Sequence, residues 1–139
     1  MSRVDRFTPV ANKKELFSDF LNDLAPHPDR HDLARYTNEN AIKRSIKNLL
    51  LTNKYERFFN PNIGSDINKL LFENISPEVT YALKERISNV IKTYEPRCRL
   101  TFVDVKPSEN ENGYYITIEF ETINTISPAT LQFSLNRTQ

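Results

Sequence analysis

The sequence predicts an α+β fold in which helices come first and a small antiparallel sheet follows. Two observations support this prediction. Hydrophobic residues recur at three- and four-residue steps as far as Tyr94, and beyond Pro96 they alternate with polar residues at a period of two. The chain has 139 residues, which is enough to bury a core of its own. We expect an N-terminal arm with a short helix over residues 1–37 and one main domain over residues 38–139.

The first 37 residues predict an arm, a helix and a loop. Residues 1–11 have no periodicity and are typical of an extended arm. A helical pattern opens at Asn12, with Glu15 placed three residues later as in a capping box. Its apolar positions are Leu16, Phe17, Phe20, Leu21 and Leu24. Pro26 and Pro28 then predict a loop, because proline removes an amide donor and disfavours helical geometry in the preceding residue.

The next segment predicts a helix over residues 38–51, followed by a change of character. Between residues 51 and 67 the chain mixes β-prone aromatic residues with Asn-Pro and Gly64. This mixture indicates either a small hairpin or an ordered turn. A short helical pattern then begins at Ile67 and includes Leu70 and Leu71.

The clearest local signal is a helix over residues 77–94. Ser76 can cap the free amides of the first turn, Pro77 suits the first helical position, and Glu78 complements the positive end of the dipole. The helix should end near Glu95 because Pro96 follows it.

Three strands are predicted after this helix, and they form a meander packed against it. In the first strand, Leu100, Phe102 and Asp104 share one face. Residues 107–113 predict a turn, and residues 114–121 predict a strand with one buried face. Ser127-Pro128 predicts a break, after which residues 129–136 form the last strand.

Composition argues against an enzyme. The lone Cys98 excludes an internal disulfide or a multi-cysteine metal site, and two glycines cannot build a phosphate-binding loop. His27 and His31 have a metal-ligand spacing, but they lie among prolines and lack an obvious third ligand. We therefore expect no catalytic residue, cofactor or metal. No stretch reaches the roughly 20 apolar residues of a membrane span, and we expect a cytosolic product.

Two groups of residues are candidates for partner binding. The first is a basic cluster with aromatic residues between its members, formed by Lys43, Arg44, Lys47, Lys54 and Arg57. It could bind nucleic acid, but a net charge of +1 favours a solvated helix face followed by a hairpin whose aromatics pack inward. The second is Glu95-Pro96-Arg97, which is either a helix end or a rigid corner offering Arg97 to a partner protein.

At this corner the sequence resembles a known family, the small baseplate wedge proteins of contractile-tailed phages, which includes TssE of type VI secretion. The motifs that support the resemblance lie within residues 44–73 and 94–97, and the resemblance as a whole covers roughly residues 38–139. They are residues 44–54, Glu56-Arg57-Phe58, Pro61, Gly64-Ser65-Asp66, Leu70-Leu71-Phe72-Glu73 and Tyr94-Glu95-Pro96-Arg97. Two positions depart from the family pattern: Tyr55 stands where glycine is usual, and Phe59 where proline is frequent.

The resemblance implies a structural sheath initiator in the virion tail baseplate, assembled in the host cytoplasm. It implies docking in the baseplate core through Glu95, Pro96 and Arg97. The implied partners are other wedge proteins and the tail sheath protein, with hub or spike-proximal proteins as further candidates; neither membrane nor nucleic acid is expected. Some members have been labelled lysozymes, but no acid and nucleophile pair supports that label here.

The last predicted strand suits the sheath contact, because its alternating apolar residues carry no charge until Arg137. An unprotected edge strand can accept a strand from another chain. The residues expected to do so are Leu131, Gln132, Phe133, Ser134 and Leu135. The alternative function is a basic-patch module that binds nucleic acid or a regulatory protein.

Overall fold

The structure, a computed structural model, describes residues 17–20, 26, 35–108, 112–123 and 125–137. Within these residues the chain forms a two-stranded sheet, three helices and a three-stranded sheet. The elements are β1 (Ser18–Phe20), β2 (Arg35–Thr37), α1 (Asn38–Leu51), α2 (Ile67–Leu71), α3 (Pro77–Tyr94), β3 (Cys98–Ser108), β4 (Gly113–Thr122) and β5 (Thr125–Asn136). The predicted α+β class and the C-terminal meander are confirmed.

The predicted helix from Asn12 is wrong where the structure describes it. Residues 18–20 form the strand β1, which pairs antiparallel with β2; the rest of that predicted helix and the arm lie outside the described residues. The backbone of Phe17 is held by Asn38 at the start of α1, which donates its N–H to the Phe17 carbonyl at 2.6 Å. Tertiary pairing thus overrides the local helical period.

Helices α1 and α3 have the predicted bounds. Ser76 caps α3, and its hydroxyl oxygen accepts the N–H of Val79 at 3.2 Å. At the other end, the Glu95 N–H still donates to the Ile91 carbonyl at 2.9 Å, but the φ of −121° and ψ of 75° at Glu95 are not helical. Pro96 imposes this geometry on its neighbour and ends the helix.

The segment between α1 and α2 is an ordered loop, and the hairpin alternative is wrong. No residue from 52 to 66, all of them described, is in a strand. Cross-loop hydrogen bonds run from the Tyr55 N–H to the Pro61 carbonyl at 2.7 Å and from the Ser65 N–H to the Thr52 carbonyl at 3.0 Å. The predicted inward packing of its aromatics is also wrong, because Tyr55, Phe58 and Phe59 are exposed.

The sheet has the strand order β3-β4-β5, and both of its pairings are antiparallel. An irregularity between Leu100 and Phe102 changes which side chains of β3 face inward. Val103 and Val105 are buried, while Phe102 is 47% exposed. The prediction that Leu100 shares one face of the strand with Phe102 and Asp104 is therefore wrong.

The predicted break at Ser127-Pro128 is also wrong, because β5 continues through it with Pro128 opposite Glu121. An edge strand tolerates proline where the missing amide would have faced away from the sheet.

The core lies between the helices and one face of the sheet. Its largest fully buried side chains include Tyr114 and Phe120 from β4, Ile42 and Ile46 from α1, and Leu83 from α3. Among the described residues, no helix has the length and apolar character that crossing a bilayer requires.

Candidate partner-binding site

The Glu95-Pro96-Arg97 corner contains a buried, two-pronged ion pair. The carboxylate of Glu95 is only 3% exposed. Arg97 donates its Nε–H to Glu95 Oε1 at 2.6 Å and its Nη2–H to Oε2 at 2.9 Å. Planar bidentate pairing of this kind fixes the orientation of the guanidinium. The corner therefore presents Arg97 in one defined direction.

Backbone hydrogen bonds tie this corner to both neighbouring elements. The Cys98 N–H donates to the Glu95 carbonyl at 3.4 Å, and the Ile123 N–H beyond β4 donates to the Arg97 carbonyl at 3.2 Å. Pro96 is exposed between the paired residues. The end of α3 and the start of β3 thus form one rigid turn.

The electrostatics keep both members of the pair ionised. Burial acts to raise the pKa of Glu95, but hydrogen bonds from Arg97 and Ser45, together with the Arg97 charge, outweigh it and leave this pKa below its ordinary value. The hydrogen bond to Glu95 raises the pKa of Arg97 despite partial burial. Burial, then the nearby Glu95 charge, raises the pKa of the Cys98 thiol to about 11. Neither Glu95 nor Cys98 is poised for acid–base or nucleophilic catalysis.

Two residues from the β1 segment, Phe17 and Asp19, complete the corner, and neither was predicted to belong to the site. The Asp19 carboxylate Oδ2 lies 3.7 Å from Arg97 Nη2, and the Phe17 ring centroid lies 5.7 Å from the guanidinium carbon. Sequence spacing carries no signal for this contact, since nearly 80 residues separate them from Arg97 and only the pairing of β1 with β2 brings them close.

The structure divides the predicted basic cluster. Arg44 and Arg57 line one hollow of about 350 Å³ together with Asp19, Tyr94 and Arg97. Lys54 lines a different hollow, beside Glu85 and Arg86 of α3. Lys43 forms an ion pair with Glu39 at 2.6 Å, one turn earlier on α1, and Lys47 is half-buried on the same helix. Arg44 and Arg57 thus lie beside the Glu95–Arg97 corner. The five predicted residues do not form one continuous basic patch.

Along the edge strand β5, successive backbone amides point alternately toward β4 and toward the outer edge of the sheet. The Arg137 N–H donates to the Asn112 carbonyl at 3.2 Å, in the register that pairs Gly113 with Asn136 and Tyr114 with Leu135. Because hydrogen-bonded and non-bonded pairs alternate in an antiparallel ladder, the odd-numbered residues of β5 from Ala129 onward bond to β4. The even-numbered residues point their amides and carbonyls to the outer edge, and Pro128 is one of these positions.

The predicted strand-addition residues fall into two groups on this edge. Gln132 and Ser134 are exposed and have outward-facing backbone groups. Leu131 and Phe133 are half-buried on the core side of the sheet, and Leu135 is buried. In the described sheet β5 has β4 as its neighbour on one side and no strand on the other.

The described residues contain no group of three or more side chains suited to hold a metal ion. His27 and His31 lie outside the described residues. Glu119 and Glu121 lie on the outer face of β4, opposite its buried row.

A family model for the baseplate wedge protein gp25 matches residues 37–126, from the end of β2 through most of the sheet. The chain belongs to the gp25 baseplate wedge family. The resemblance inferred from the sequence motifs is therefore confirmed.

Individual relatives agree with this membership. The chain is 29% identical over 115 residues to the baseplate wedge protein gp25 of Enterobacteria phage T4, covering 83% of this chain and 86% of that relative. It resembles a Geobacter sulfurreducens structure, described as a proposed tail lysozyme, with a TM-score of 0.65 and 25% identity over 70% of this chain and 89% of the other. A chain in the anti-feeding prophage baseplate has the same fold, with a TM-score of 0.61, 19% identity and coverage of 88% and 87%.

Proposed function

We propose that this gp25-family protein is a structural wedge subunit of a contractile tail that docks in the inner baseplate and starts the sheath. Its location is the tail baseplate of the virion. The Glu95-Pro96-Arg97 corner contacts other wedge proteins, and β5 accepts a strand from the first ring of sheath subunits. Hub or spike-proximal proteins are further partners. The observation that carries the proposal is the unpaired outer edge of β5.

The β5 edge has the properties that strand addition requires. From Thr130 to Asn136 the strand has no charged residue and no proline, the usual devices that block edge pairing. Gln132 and Ser134 offer outward donors and acceptors, which would bond to an added strand. Half-buried Leu131 and Phe133 leave apolar surface on the core side that an added strand can cover. An incoming strand would gain both backbone hydrogen bonds and apolar contact.

The corner has the properties of a docking site. Glu95 holds the guanidinium of Arg97 in a fixed orientation, so that little conformational freedom is lost when a partner binds. The Arg97 side chain is 28% exposed and faces the hollow that Arg44 and Arg57 also line. We expect the partner to place a carboxylate there.

A non-enzymatic role agrees with the chemistry of the described residues. A glycosidase needs one carboxylic acid with a raised pKa facing a second carboxylate. The buried carboxylate of Glu95 has a lowered pKa and is already occupied by Arg97. The description of the Geobacter relative as a lysozyme is not carried over to this chain.

Sheath nucleation on purified baseplates tests the proposal. In Gln132→Pro the outward amide is lost while the bonds from β5 to β4 stay intact, so we expect the nucleation rate to fall at least about 10-fold. Gln132→Ala is the matched control, because it removes the side chain but keeps the amide, and it should nucleate normally. Nucleation by Gln132→Pro at the normal rate would overturn the proposed role of β5.

A further inference from the structure

The loop between α1 and α2 carries two phenylalanines that are almost wholly in solvent. Phe58 is 98% exposed and Phe59 is 99% exposed, and Tyr55 in the same loop is 77% exposed. We call residues 53–62 the aromatic loop. Adjacent fully exposed aromatic rings are costly to keep in water, and such patches mark interaction sites on soluble proteins.

Hydrogen bonds fix the base of the aromatic loop. The carboxylate of Glu56 accepts the Asn53 backbone N–H at 2.8 Å and the Asn53 side-chain amide at 2.9 Å. Asn68 of α2 donates to the Asn53 side-chain oxygen at 2.9 Å. Gly64 packs so closely on the loop backbone that a Cβ there would lie 2.6 Å from Asn53 C and Lys54 N. The loop is therefore ordered before any partner arrives, which lowers the entropic cost of binding.

The aromatic loop has a net positive charge, because Lys54 and Arg57 outnumber its single acidic residue, Glu56. Arg57 is exposed and forms no ion pair with any residue that the structure describes. The neighbouring carboxylate of Glu56 is occupied by Asn53. A surface complementary to this tip has an apolar groove for the two rings and a carboxylate at its rim for Arg57.

The aromatic loop is continuous with the surface around Arg97. Arg57 and Ile63, at the tip and just beyond the end of the loop, line the same hollow as Asp19 and Arg97. A partner that docks on the corner would therefore reach the loop as well.

We infer that Phe58 and Phe59 are anchor residues that insert into an apolar, acid-rimmed groove on a neighbouring baseplate protein, which is also the partner of Arg97. This inference rests on the proposed structural role and adds a contact to it. Large aromatic side chains that become fully buried at the centre of an interface dominate its affinity. We expect these two rings to act in that way.

Site-specific photo-crosslinking in assembled tails tests the inference. The full chain carries p-benzoylphenylalanine at position 59, and tails are assembled from the proteins encoded with it. We expect crosslinks to one baseplate protein, mapped by mass spectrometry to a segment of aliphatic residues flanked by Asp or Glu. The control position is Tyr81 on α3, which is also exposed. Crosslinks from position 59 only to another copy of this chain, or none at all, would overturn the inference.

A variant with both rings removed provides the quantitative test. Phe58→Ser with Phe59→Ser should keep its melting temperature, because neither ring is packed, and its incorporation into tails should fall about 30-fold. If this variant enters tails normally while Arg97→Glu does not, the inference fails and the proposed function stands. If the wild-type chain does not enter tails, the proposed function itself fails. The inference that the two rings insert into a groove on a protein would also be contradicted if the wild-type chain sedimented with anionic lipid vesicles and the variant did not.

Discussion

The ion pair between Glu95 and Arg97 combines a structural role with the docking role proposed for Arg97. Burying a carboxylate is unfavourable unless a charged partner and hydrogen bonds compensate, and Arg97 supplies both. The same bonds orient the guanidinium toward the hollow. Arg97 therefore stabilises the turn between α3 and β3, and it is also the residue that we propose contacts a partner.

Replacing Arg97 by alanine should destabilise the protein by about 2 kcal/mol near neutral pH, because it leaves a buried carboxylate unpaired. The pKa of Glu95 is lowered in the folded protein, so the pair's contribution is present above the ordinary glutamate range and is lost as the pH falls through the folded pKa. The difference between variant and wild type should shrink at pH 4. Urea denaturation at pH 7 and pH 4 measures it, with exposed Arg99→Ala as the control. An equal difference at both pH values would contradict this account.

Tyr55 gives a second prediction at the residue scale. Its φ of 70° is left-handed, a conformation that is unfavourable for a residue with a Cβ and that glycine adopts without strain. Tyr55→Gly should raise the free energy of unfolding by about 1 kcal/mol, since the exposed ring contributes little packing. Thermal denaturation measures the change. Tyr81→Gly, in the middle of α3, is the control and should lower stability by about 1 kcal/mol. A destabilised Tyr55→Gly would show that the strain argument is wrong.

At the scale of elements, local signals predicted the long helices. Ser76, Pro77 and Pro96 define α3 without reference to the rest of the chain, and α1 was predicted from its apolar period. The elements that were mispredicted depend on distant partners. Residues 18–20 form a strand because Arg35–Thr37 lies beside them, and β5 passes through Pro128 because that position faces the outer edge.

The irregularity in β3 shows a different limit of prediction. Alternation alone placed Phe102 on the same face as Leu100, but a shift of one residue between them turns Phe102 outward and leaves Val103 and Val105 buried. A one-residue shift reverses every later side chain, and nothing in the local sequence specifies it.

Proline substitutions along β5 test its inferred amide directions. Gln132→Pro and Ser134→Pro remove outward amides and should cost less than about 1 kcal/mol, as Pro128 already illustrates in the same strand. Phe133→Pro removes a bond to β4 and should cost about 3 kcal/mol more than Phe133→Ala, which corrects for the lost ring. Chemical denaturation compares the four variants. Equal costs for Gln132→Pro and Phe133→Pro would contradict the assigned register.

On the scale of the whole molecule, the two proposed contacts lie at opposite edges of the sheet. Arg97 immediately precedes β3, whereas β5 is the far strand in the order β3-β4-β5. One edge can therefore hold the protein in the baseplate while the other remains open for the sheath. This separation suits a subunit that connects two assemblies.

The sequence allowed part of the candidate site to be predicted. The motif around Glu95-Pro96-Arg97 was recognisable as a unit because its residues are adjacent. Phe17 and Asp19 at the same corner, and the exposure of Phe58 and Phe59, were not predictable, since each depends on how separate segments pack. Periodicity describes single elements, and a partner surface is assembled from several.

The most direct test of the central claim is a cryo-electron microscopy structure of the extended tail, with side chains resolved around this protein. We predict that a strand from the first sheath ring pairs with the outer edge of β5 and bonds to the backbone of Gln132 and Ser134, while Arg97 contacts a carboxylate of another wedge protein. A structure in which the outer edge of β5 faces solvent, or in which the sheath contacts the protein without adding a strand there, would contradict the account.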